Sequence, residues 1–282
     1  MALDPQQKGC CPPGSLGAAL AADPKSLRGE NVELHSPSQG KVVAYVSKPP
    51  ADAPSKPGQC LLVLHDVFGV DSGRTKQICD SYATKGYTVI LPDLTRDGSF
   101  EPPESFGLGV FKTIFKAISH LYNNTRGPVL ARLDEAVLPY LYNELGAKQI
   151  ALMCFCWGAF PMNHLLGKHL PEIKCAIGFH PSLQLSSLYF ENLDSILESI
   201  QVPIAYLSAE NDPATIRPEG VAHKIMQKKP FAEECIFKEY KGVRHGWVNR
   251  GDLKDPTVLE AYTDSIKLSD EFLEKHLLSS AL

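Results

Sequence analysis

The chain has 282 residues, of which 44% are apolar and 21% are charged. This balance is typical of a globular protein with a large core, and one α/β domain can reach this length. The formal net charge of −4 does not favour binding to nucleic acid or to an anionic membrane. No apolar run approaches the ~18–20 residues of a membrane-spanning helix, and the first residues lack the basic start and apolar run of a signal peptide. We therefore expect a cytoplasmic protein that binds neither nucleic acid nor a membrane.

Eight cysteines are too few, at this length, for a scaffold of disulfides. Most of them fall inside apolar runs that resemble strands or helices. Reduced thiols in a cytoplasmic protein fit this distribution better than a disulfide framework does.

The predicted elements alternate along the chain after an irregular N-terminal lead-in over residues 1–30, and residues 31–282 are interpreted as a single domain. The predicted strands are 41–47, 60–65, 87–91, 149–154, 175–179, 204–208 and 235–240. The predicted helices are 72–85, 110–122, 131–145, 157–170, 193–200, 218–227 and 257–278, with a polar surface excursion at 97–107. This alternation predicts a mostly parallel sheet with helices on both faces. Ligands bind beyond the C-terminal ends of the strands in such sheets, so the chemistry is expected in the residues that follow each strand.

A possible nucleophile stands directly after the strand at 149–154. Cys156 lies where a strand turns sharply into a helix, which is the layout of a nucleophile elbow. Such a turn needs small neighbours, and Gly158 satisfies this need two residues later. The position two residues earlier is Cys154, where the pattern has glycine. On these residues alone, two small buried cysteines are as good an interpretation as a nucleophile.

Two further residues follow later strands in the expected order. Asp212 comes after the strand at 204–208, and His245 comes after the strand at 235–240. The order nucleophile, acid, histidine along successive strand ends is that of the α/β-hydrolase fold. The combination is much harder to obtain by chance than any one of the three, and it favours the catalytic interpretation of Cys156.

Each of these residues has a chemical part to perform. A thiolate is the reactive form of cysteine, and an imidazole and a helix N-terminus both favour it. His245 would hold the proton and later activate water, while Asp212 would fix the orientation of the ring. The carbonyl oxygen of a substrate needs preorganised donors, which in this fold are the backbone N–H groups of Trp157 and Val67.

Several segments together resemble the dienelactone hydrolase family. They are HDVFGV at 65–70, YTVILPDL at 87–94, CFCWGA at 154–159, AENDP at 209–213 and HGWVNR at 245–250. The resemblance runs from about Val42 to the end of the chain, and Cys10-Cys11-Pro12-Pro13-Gly14 also looks like the lead-in of eukaryotic members. It implies a Cys-His-Asp triad on Cys156, His245 and Asp212.

The resemblance also implies roles for residues around the triad. Asp66 matches an acid that holds the proton of the resting thiol, although the bacterial pattern has the longer Glu there, and a simple loop cap is the alternative. Arg250 matches an arginine that binds substrate carboxylates, and Arg244 and Arg96 are further candidates. Trp157, Trp247 and His180 are expected to line the pocket, with ordinary core residues as the alternative.

The resulting hypothesis is a hydrolase that opens an ester or lactone of a small, possibly carboxylate-bearing substrate through a cysteine acyl-enzyme. It requires no cofactor and no metal, and a monomer or weak homodimer is expected. Two alternatives remain: a non-catalytic binding protein with the α/β-hydrolase fold, and a thiol-based redox sensor using Cys154 and Cys156.

Overall fold

Eight strands form one sheet in the computed structural model, which describes residues 10–95 and 123–277. The strands are β1 (Glu30–Ser36), β2 (Gly40–Ser47), β3 (Gln59–Leu64), β4 (Thr88–Pro92), β5 (Gln149–Phe155), β6 (Ile173–Phe179), β7 (Ile204–Ala209) and β8 (Ile236–Tyr240). Their order across the sheet is β1-β2-β4-β3-β5-β6-β7-β8. Strand β2 runs antiparallel to β1 and β4, and all other neighbours are parallel. This mostly parallel sheet with helices is the predicted α/β-hydrolase fold.

The helices follow the strands as the alternating pattern predicts. They are α1 (Thr75–Thr84), α2 (Arg126–Arg132), α3 (Leu138–Asn143), α4 (Ala159–Leu166), α5 (Leu185–Leu188), α6 (Leu193–Glu198), α7 (Val221–Met226), α8 (Trp247–Arg250) and α9 (Pro256–His276). A wide π-helical turn over Leu133–Val137 joins α2 to α3, so the two form one continuous helical segment.

The core lies on both faces of the sheet. Leu62 and Leu64 of β3 point into one apolar cluster, and Leu61 and Val63 of the same strand point into the other. All four side chains are fully buried. Successive residues of a strand face opposite sides, so a strand covered on both faces has to be apolar throughout. This is why an uninterrupted apolar run correctly predicts β3.

Most predicted elements are confirmed, and the seven predicted strands end within two residues of the observed ones. Strand β1 is unpredicted, because only Val32 and Leu34 of its seven residues are apolar and it lies at the edge of the sheet. The predicted helix at 110–122 and the excursion at 97–107 lie outside the described residues.

The described part of the lead-in, residues 10–29, crosses the end of the sheet where the predicted site residues lie. The Leu16 N–H donates to the His245 carbonyl at 3.0 Å, and the Asn211 side chain donates to the Pro13 carbonyl at 3.0 Å. The Gln184 amide donates to the carbonyl of Cys10 at 2.6 Å. The described part of the lead-in is irregular apart from one short 3₁₀ turn, and it is held against three loops of the chain.

Candidate active site

The turn after β5 places Cys156 in a strained conformation. Cys156 has a φ of +50°, in the left-handed region that non-glycine residues rarely adopt. The chain passes from β5 through one 3₁₀ turn into α4. A Cβ on Gly158 would lie 2.8 Å from the His65 carbonyl oxygen and closer still to that of Leu64. Only glycine fits there, so the local geometry is that of the predicted elbow.

His245 and Asp212 form a fully buried pair beside this turn. The Nδ1 atom of His245 lies 2.6 Å from Oδ1 of Asp212, and both side chains are inaccessible to solvent. The other carboxylate oxygen of Asp212 accepts the Ala209 N–H at 2.6 Å. The backbone N–H of His245 donates to the side chain of Asn211 at 2.7 Å. These bonds fix the ring so that its Nε2 atom is left for another partner.

The charged forms of Cys156 and His245 stabilise each other. Burial alone would raise the pKa of Cys156, but hydrogen bonds from Cys10 and Cys11 and the neighbouring His245 hold that pKa well below its usual range. Burial alone would lower the pKa of His245, but the charges of Cys156 and Asp212 raise that pKa well above its usual range. A thiolate beside an imidazolium is the form that these opposite shifts favour.

Three residues that the sequence does not single out for this site lie against the Cys156 sulfur. The Sγ atoms of Cys10 and Cys11 are each 3.5 Å from Sγ of Cys156. The hydroxyl of Ser182 lies 3.4 Å from the same sulfur, and the backbone N–H of Ser182 donates to the Cys156 carbonyl at 3.0 Å. Together these groups leave the side chain of Cys156 fully buried. The adjacent cysteine pair at the start of the chain is the one sequence signal that points to this contact.

Asp66 and Arg250 lie close to each other, and their contacts differ from the expected ones. Arg250 donates through Nη1 to Oδ2 of Asp66, and both side chains are fully buried. Asp66 also accepts from the side chain of Asn249 at 2.7 Å and from the N–H of Phe68 at 2.8 Å. Asp66, the predicted partner of the thiol, is thus occupied by a guanidinium and two amides. These contacts are consistent with a carboxylate one methylene shorter than Glu. The hydrogen bond from the Phe68 N–H to Asp66 is the contact that the alternative interpretation, a loop cap, predicts.

Arg250 keeps donors that Asp66 does not use. Its Nε and Nη2 atoms have no hydrogen-bond partner among residues 10–95 and 123–277, while its guanidinium stacks over the Phe68 ring at 4.8 Å. Arg244, in contrast, is exposed and donates to the carbonyl of Gly14 at 3.3 Å. Arg96 lies outside the described residues.

The aromatic residues predicted to line the pocket surround His245 and the elbow. The His180 ring lies 4.6 Å from the His245 ring and 5.3 Å from the Trp247 ring. Trp157 stacks on His65 at 5.3 Å. Burial, followed by the charges of His245 and Arg250, holds the pKa of His180 well below its usual range. His180 is therefore a neutral ring in an apolar wall.

The two backbone groups expected to bind an oxyanion lie on the loops beside the elbow. Trp157 is in the first turn after Cys156, where N–H groups have no acceptor within the helix. Val67 follows β3 between Asp66 and Phe68, both of which are fixed by the hydrogen bond from the Phe68 N–H to the Asp66 carboxylate. The same bond therefore holds the Val67 peptide in place.

A cavity of about 330 Å³ opens elsewhere, beside the lead-in. Its lining includes Ala21, Leu27, Tyr45, Val70 and Lys76, and none of the predicted site residues. The chemistry-bearing side chains are packed together rather than exposed in this cavity, because the lead-in covers them.

The comparison with protein families shows the family to which the chain belongs. Residues 42–277 match the model of the family described as "Dienelactone hydrolase family". The chain belongs to the dienelactone hydrolase family. It is similar to the carboxymethylenebutenolidase homolog of Rattus norvegicus, with 28% identity over 214 residues that cover 74% of this chain and 77% of the relative. It is also similar to the hydrolase tropI of Talaromyces stipitatus, with 26% identity, 84% of this chain and 87% of the relative.

Solved structures of the family share the fold. A putative dienelactone hydrolase from Klebsiella pneumoniae superposes with a TM-score of 0.57 at 20% identity, covering 87% of this chain and 99% of that one. Dienelactone hydrolase from Anabaena variabilis gives a TM-score of 0.61 at 13% identity, covering 89% and 100%. Membership of this family supports hydrolysis as the class of activity of this protein. Among the described helices, none combines the length and apolar character needed to cross a membrane.

Proposed function

We propose that this member of the dienelactone hydrolase family cleaves a small ester or lactone through an acyl-thioester on Cys156. The observation that carries the proposal is the position of Cys156, on a strained turn beside the buried His245–Asp212 pair. Strain of this kind costs free energy and persists where the surrounding structure enforces it, often at reactive residues.

The first half of the reaction forms the acyl-enzyme. The Cys156 thiolate attacks the carbonyl carbon, and the carbonyl electron pair moves onto oxygen. When the tetrahedral intermediate collapses, the C–O bond to the leaving group breaks, and the His245 imidazolium gives its proton to the departing alkoxide. For a lactone, the freed hydroxyl remains attached to the acyl group. Asp212 holds the ring in the tautomer that presents Nε2 to these atoms.

The second half releases the acid. His245, now neutral, takes a proton from water as the water oxygen attacks the thioester carbonyl. The C–S bond then breaks and the Cys156 thiolate leaves, next to the imidazolium that favours it. The N–H groups of Val67 and Trp157 are proposed to bind the oxyanion in both halves. One such donor is worth about 10²–10³ in kcat.

The substrate class follows from the free donors and the apolar wall. Arg250 offers Nε and Nη2 from a buried position, where a charge-assisted bond to a carboxylate is strongest. Trp157, Trp247 and neutral His180 supply apolar surface for the rest of a small acyl group. The name of the rat relative, carboxymethylenebutenolidase homolog, refers to a lactone of this kind, which supports a carboxylate-bearing lactone or ester here as well.

Access to Cys156 requires the lead-in to move, because Cys10 and Cys11 cover the sulfur. The steps above need only side chains and water, and reduced thiols fit a cytoplasmic location. A monomer or weak homodimer stays a prediction.

Steady-state hydrolysis of an activated ester and of a small lactone tests the proposal. Cys156→Ala should abolish turnover of both, whereas Cys235→Ala, at a thiol remote from the site, should behave as wild type. Turnover by wild type no faster than the uncatalysed reaction would replace the proposal with a non-catalytic binding protein or a thiol sensor. Equal turnover by wild type and Cys156→Ala above that rate would mean that Cys156 is not the nucleophile.

A further inference from the structure

Cys10, Cys11 and Cys156 form a cluster of three thiols that the hydrolytic reaction does not explain. Their three sulfur atoms all lie within 4.8 Å of one another. Two of the three separations are 3.5 Å, between Cys156 and each lead-in cysteine. Hydrolysis needs one thiol, and the other two block the path to it. We propose that these three thiolates form a binding site for a thiophilic d¹⁰ metal ion of the zinc type, which locks the lead-in over the nucleophile.

The separations suit such an ion. Zinc binds thiolate sulfur at about 2.3 Å in a tetrahedral arrangement, so two sulfurs on one ion lie roughly 3.8 Å apart. The two sulfur pairs at 3.5 Å need only a few tenths of an ångström to open to this distance. Three cysteines and one histidine are an established ligand set for structural zinc.

His245 lies outside the group of atoms that are mutually within 4.8 Å, so it completes the ligand set only if its ring moves toward the ion. Nδ1 of His245 is occupied by Asp212, and its Nε2 atom has no hydrogen-bond partner within the described ranges 10–95 and 123–277. A carboxylate on the far nitrogen of a metal-binding histidine is the usual second contact, and it fixes the ring for the ion. The Asp212–His245 pair therefore leaves Nε2 available to an ion held by the three sulfurs.

The lead-in is arranged in advance for this purpose. Bonds from Gln184 to Cys10, from Asn211 to Pro13 and from Leu16 to His245 fix the chain at the cysteine pair and directly after it. The Ser15 N–H also donates to the Pro12 carbonyl at 3.2 Å, which closes a turn directly after Cys11. A preformed site lowers the entropy lost when the ion binds. Cys10 and Cys11 each give up a thiol proton to solvent on binding, so affinity should increase with pH.

Binding of the ion and the hydrolase activity are separate claims. The site itself depends on the three thiols. The inhibition that it predicts rests on the proposed function, because an ion on Cys156 removes the nucleophile. The lead-in would then act as a latch that metal closes and a chelator opens.

The test measures binding without turnover first. Reduced protein is titrated with Zn²⁺ against a coloured chelator, ions per chain are counted by native mass spectrometry, and Cd²⁺ serves as a probe because its thiolate bonds absorb in the ultraviolet. The variants are Cys10→Ser/Cys11→Ser and Cys156→Ser, with Cys235→Ser as a matched control at a half-buried thiol outside the cluster. Thermal unfolding of each metal-free variant checks that the fold is retained.

Wild type and Cys235→Ser should bind one Zn²⁺ per chain, with a Cd²⁺ absorption that corresponds to three thiolates. Cys10→Ser/Cys11→Ser should bind more than about 100-fold more weakly, since losing an outer-shell partner alone costs about 10–100-fold. Cys156→Ser should lose one thiolate from the Cd²⁺ absorption. Equal affinity in wild type and the double variant would overturn the proposal. So would an intact mass two hydrogens below that of the reduced chain, which would mean that the thiols form a disulfide instead of holding an ion.

Activity is measured last. Relative to the metal-free activity of each variant, Zn²⁺ should stop hydrolysis by wild type and Cys235→Ser and spare the double variant, and a chelator should restore it. Zinc binding to a wild type without any turnover would leave the metal site intact and remove the proposed function. Turnover at full rate with zinc bound would contradict the latch.

Discussion

Asp66 and Arg250 form an ion pair in which both side chains are fully buried. Asp66 follows β3, where the proposed oxyanion donor Val67 also lies, and Arg250 ends α8, which begins two residues after His245. The pair therefore ties the oxyanion loop to the histidine loop. A buried ion pair depends on both partners, because removing one leaves an uncompensated charge.

Arg250→Lys should separate substrate binding from this structural role. Lysine keeps a positive charge near Asp66 but lacks the planar fork that offers two further donors. We expect kcat/KM to fall about tenfold to a hundredfold for an ester with a free carboxylate, corresponding to ~1.5–3 kcal/mol, and to change little for its neutral analogue.

The control is Arg244→Ala, at an exposed arginine on the same loop, which should affect both esters equally. Arg250→Ala should in addition lower the free energy of unfolding by about 3–5 kcal/mol, because Asp66 is left unpaired. Matched losses on both esters in Arg250→Lys would show that Arg250 only supports the loops.

Gly158→Ala should destabilise the fold by more than about 1 kcal/mol, since the new Cβ meets the backbone carbonyls of Leu64 and His65. Gly127→Ala is the matched control. A Cβ there meets nothing within 4 Å, and Gly127 lies in α2, so alanine should stabilise by about 0.5–1 kcal/mol. Denaturant unfolding of both variants gives the comparison. A Gly158→Ala protein as stable as wild type would mean that the elbow tolerates a side chain.

His245→Asn should remove hydrolysis without disrupting the site. The asparagine amide can replace Nδ1 as the donor to Asp212, so that buried carboxylate keeps its partner, but no group replaces Nε2. We expect kcat/KM to fall about 10²–10⁴-fold, the usual contribution of a general acid–base. Thermal unfolding should stay close to that of wild type. Normal turnover in a well-folded His245→Asn would exclude the imidazole from the reaction.

The sequence predicts the sheet and the position of the three chemical residues for a physical reason. Buried parallel strands are apolar throughout, and their C-terminal ends meet at one edge, so Cys156, Asp212 and His245 can be placed from strand positions alone. The closure of the site over Cys156 could not be predicted. Cys10 and Cys11 lie about 145 positions away in an aperiodic segment, and no local rule states where such a segment packs.

The pairing of Asp66 with Arg250 could not be predicted from the sequence for a similar reason. Each residue alone fits a role toward the thiol or the substrate, and only the fold shows that the two, 184 positions apart, bind each other. The sequence pattern does not predict strand β1, because its charged residues face solvent at the sheet edge, where an apolar pattern is not required.

The pH dependence of kcat/KM reports the charges of the two reacting groups. The low pKa of Cys156 and the high pKa of His245 predict a plateau across neutral pH. Activity should fall on the acid side as the thiolate gains a proton, and on the alkaline side as the imidazolium loses the proton that the leaving group needs.

Asp212→Asn removes an anion that raises the pKa of His245, so its alkaline limb should move to lower pH. At the plateau, kcat should fall between ~10-fold and ~10⁴-fold. Profiles are recorded with an ester that does not ionise over the range. An unchanged alkaline limb in Asp212→Asn would assign that limb to another group.

The central claim is that Cys156 carries the acyl group, and intact-mass analysis of a rapidly quenched reaction tests it most directly. Wild type mixed with excess activated ester should show a mass increase of one acyl group, located on the peptide that contains Cys156 and removed by hydroxylamine. In His245→Asn the adduct should form more slowly, or disappear more slowly, than in wild type. In Cys156→Ala it should never form. Turnover by wild type with no adduct on Cys156 under quenching, or an adduct that persists in Cys156→Ala, would contradict the account.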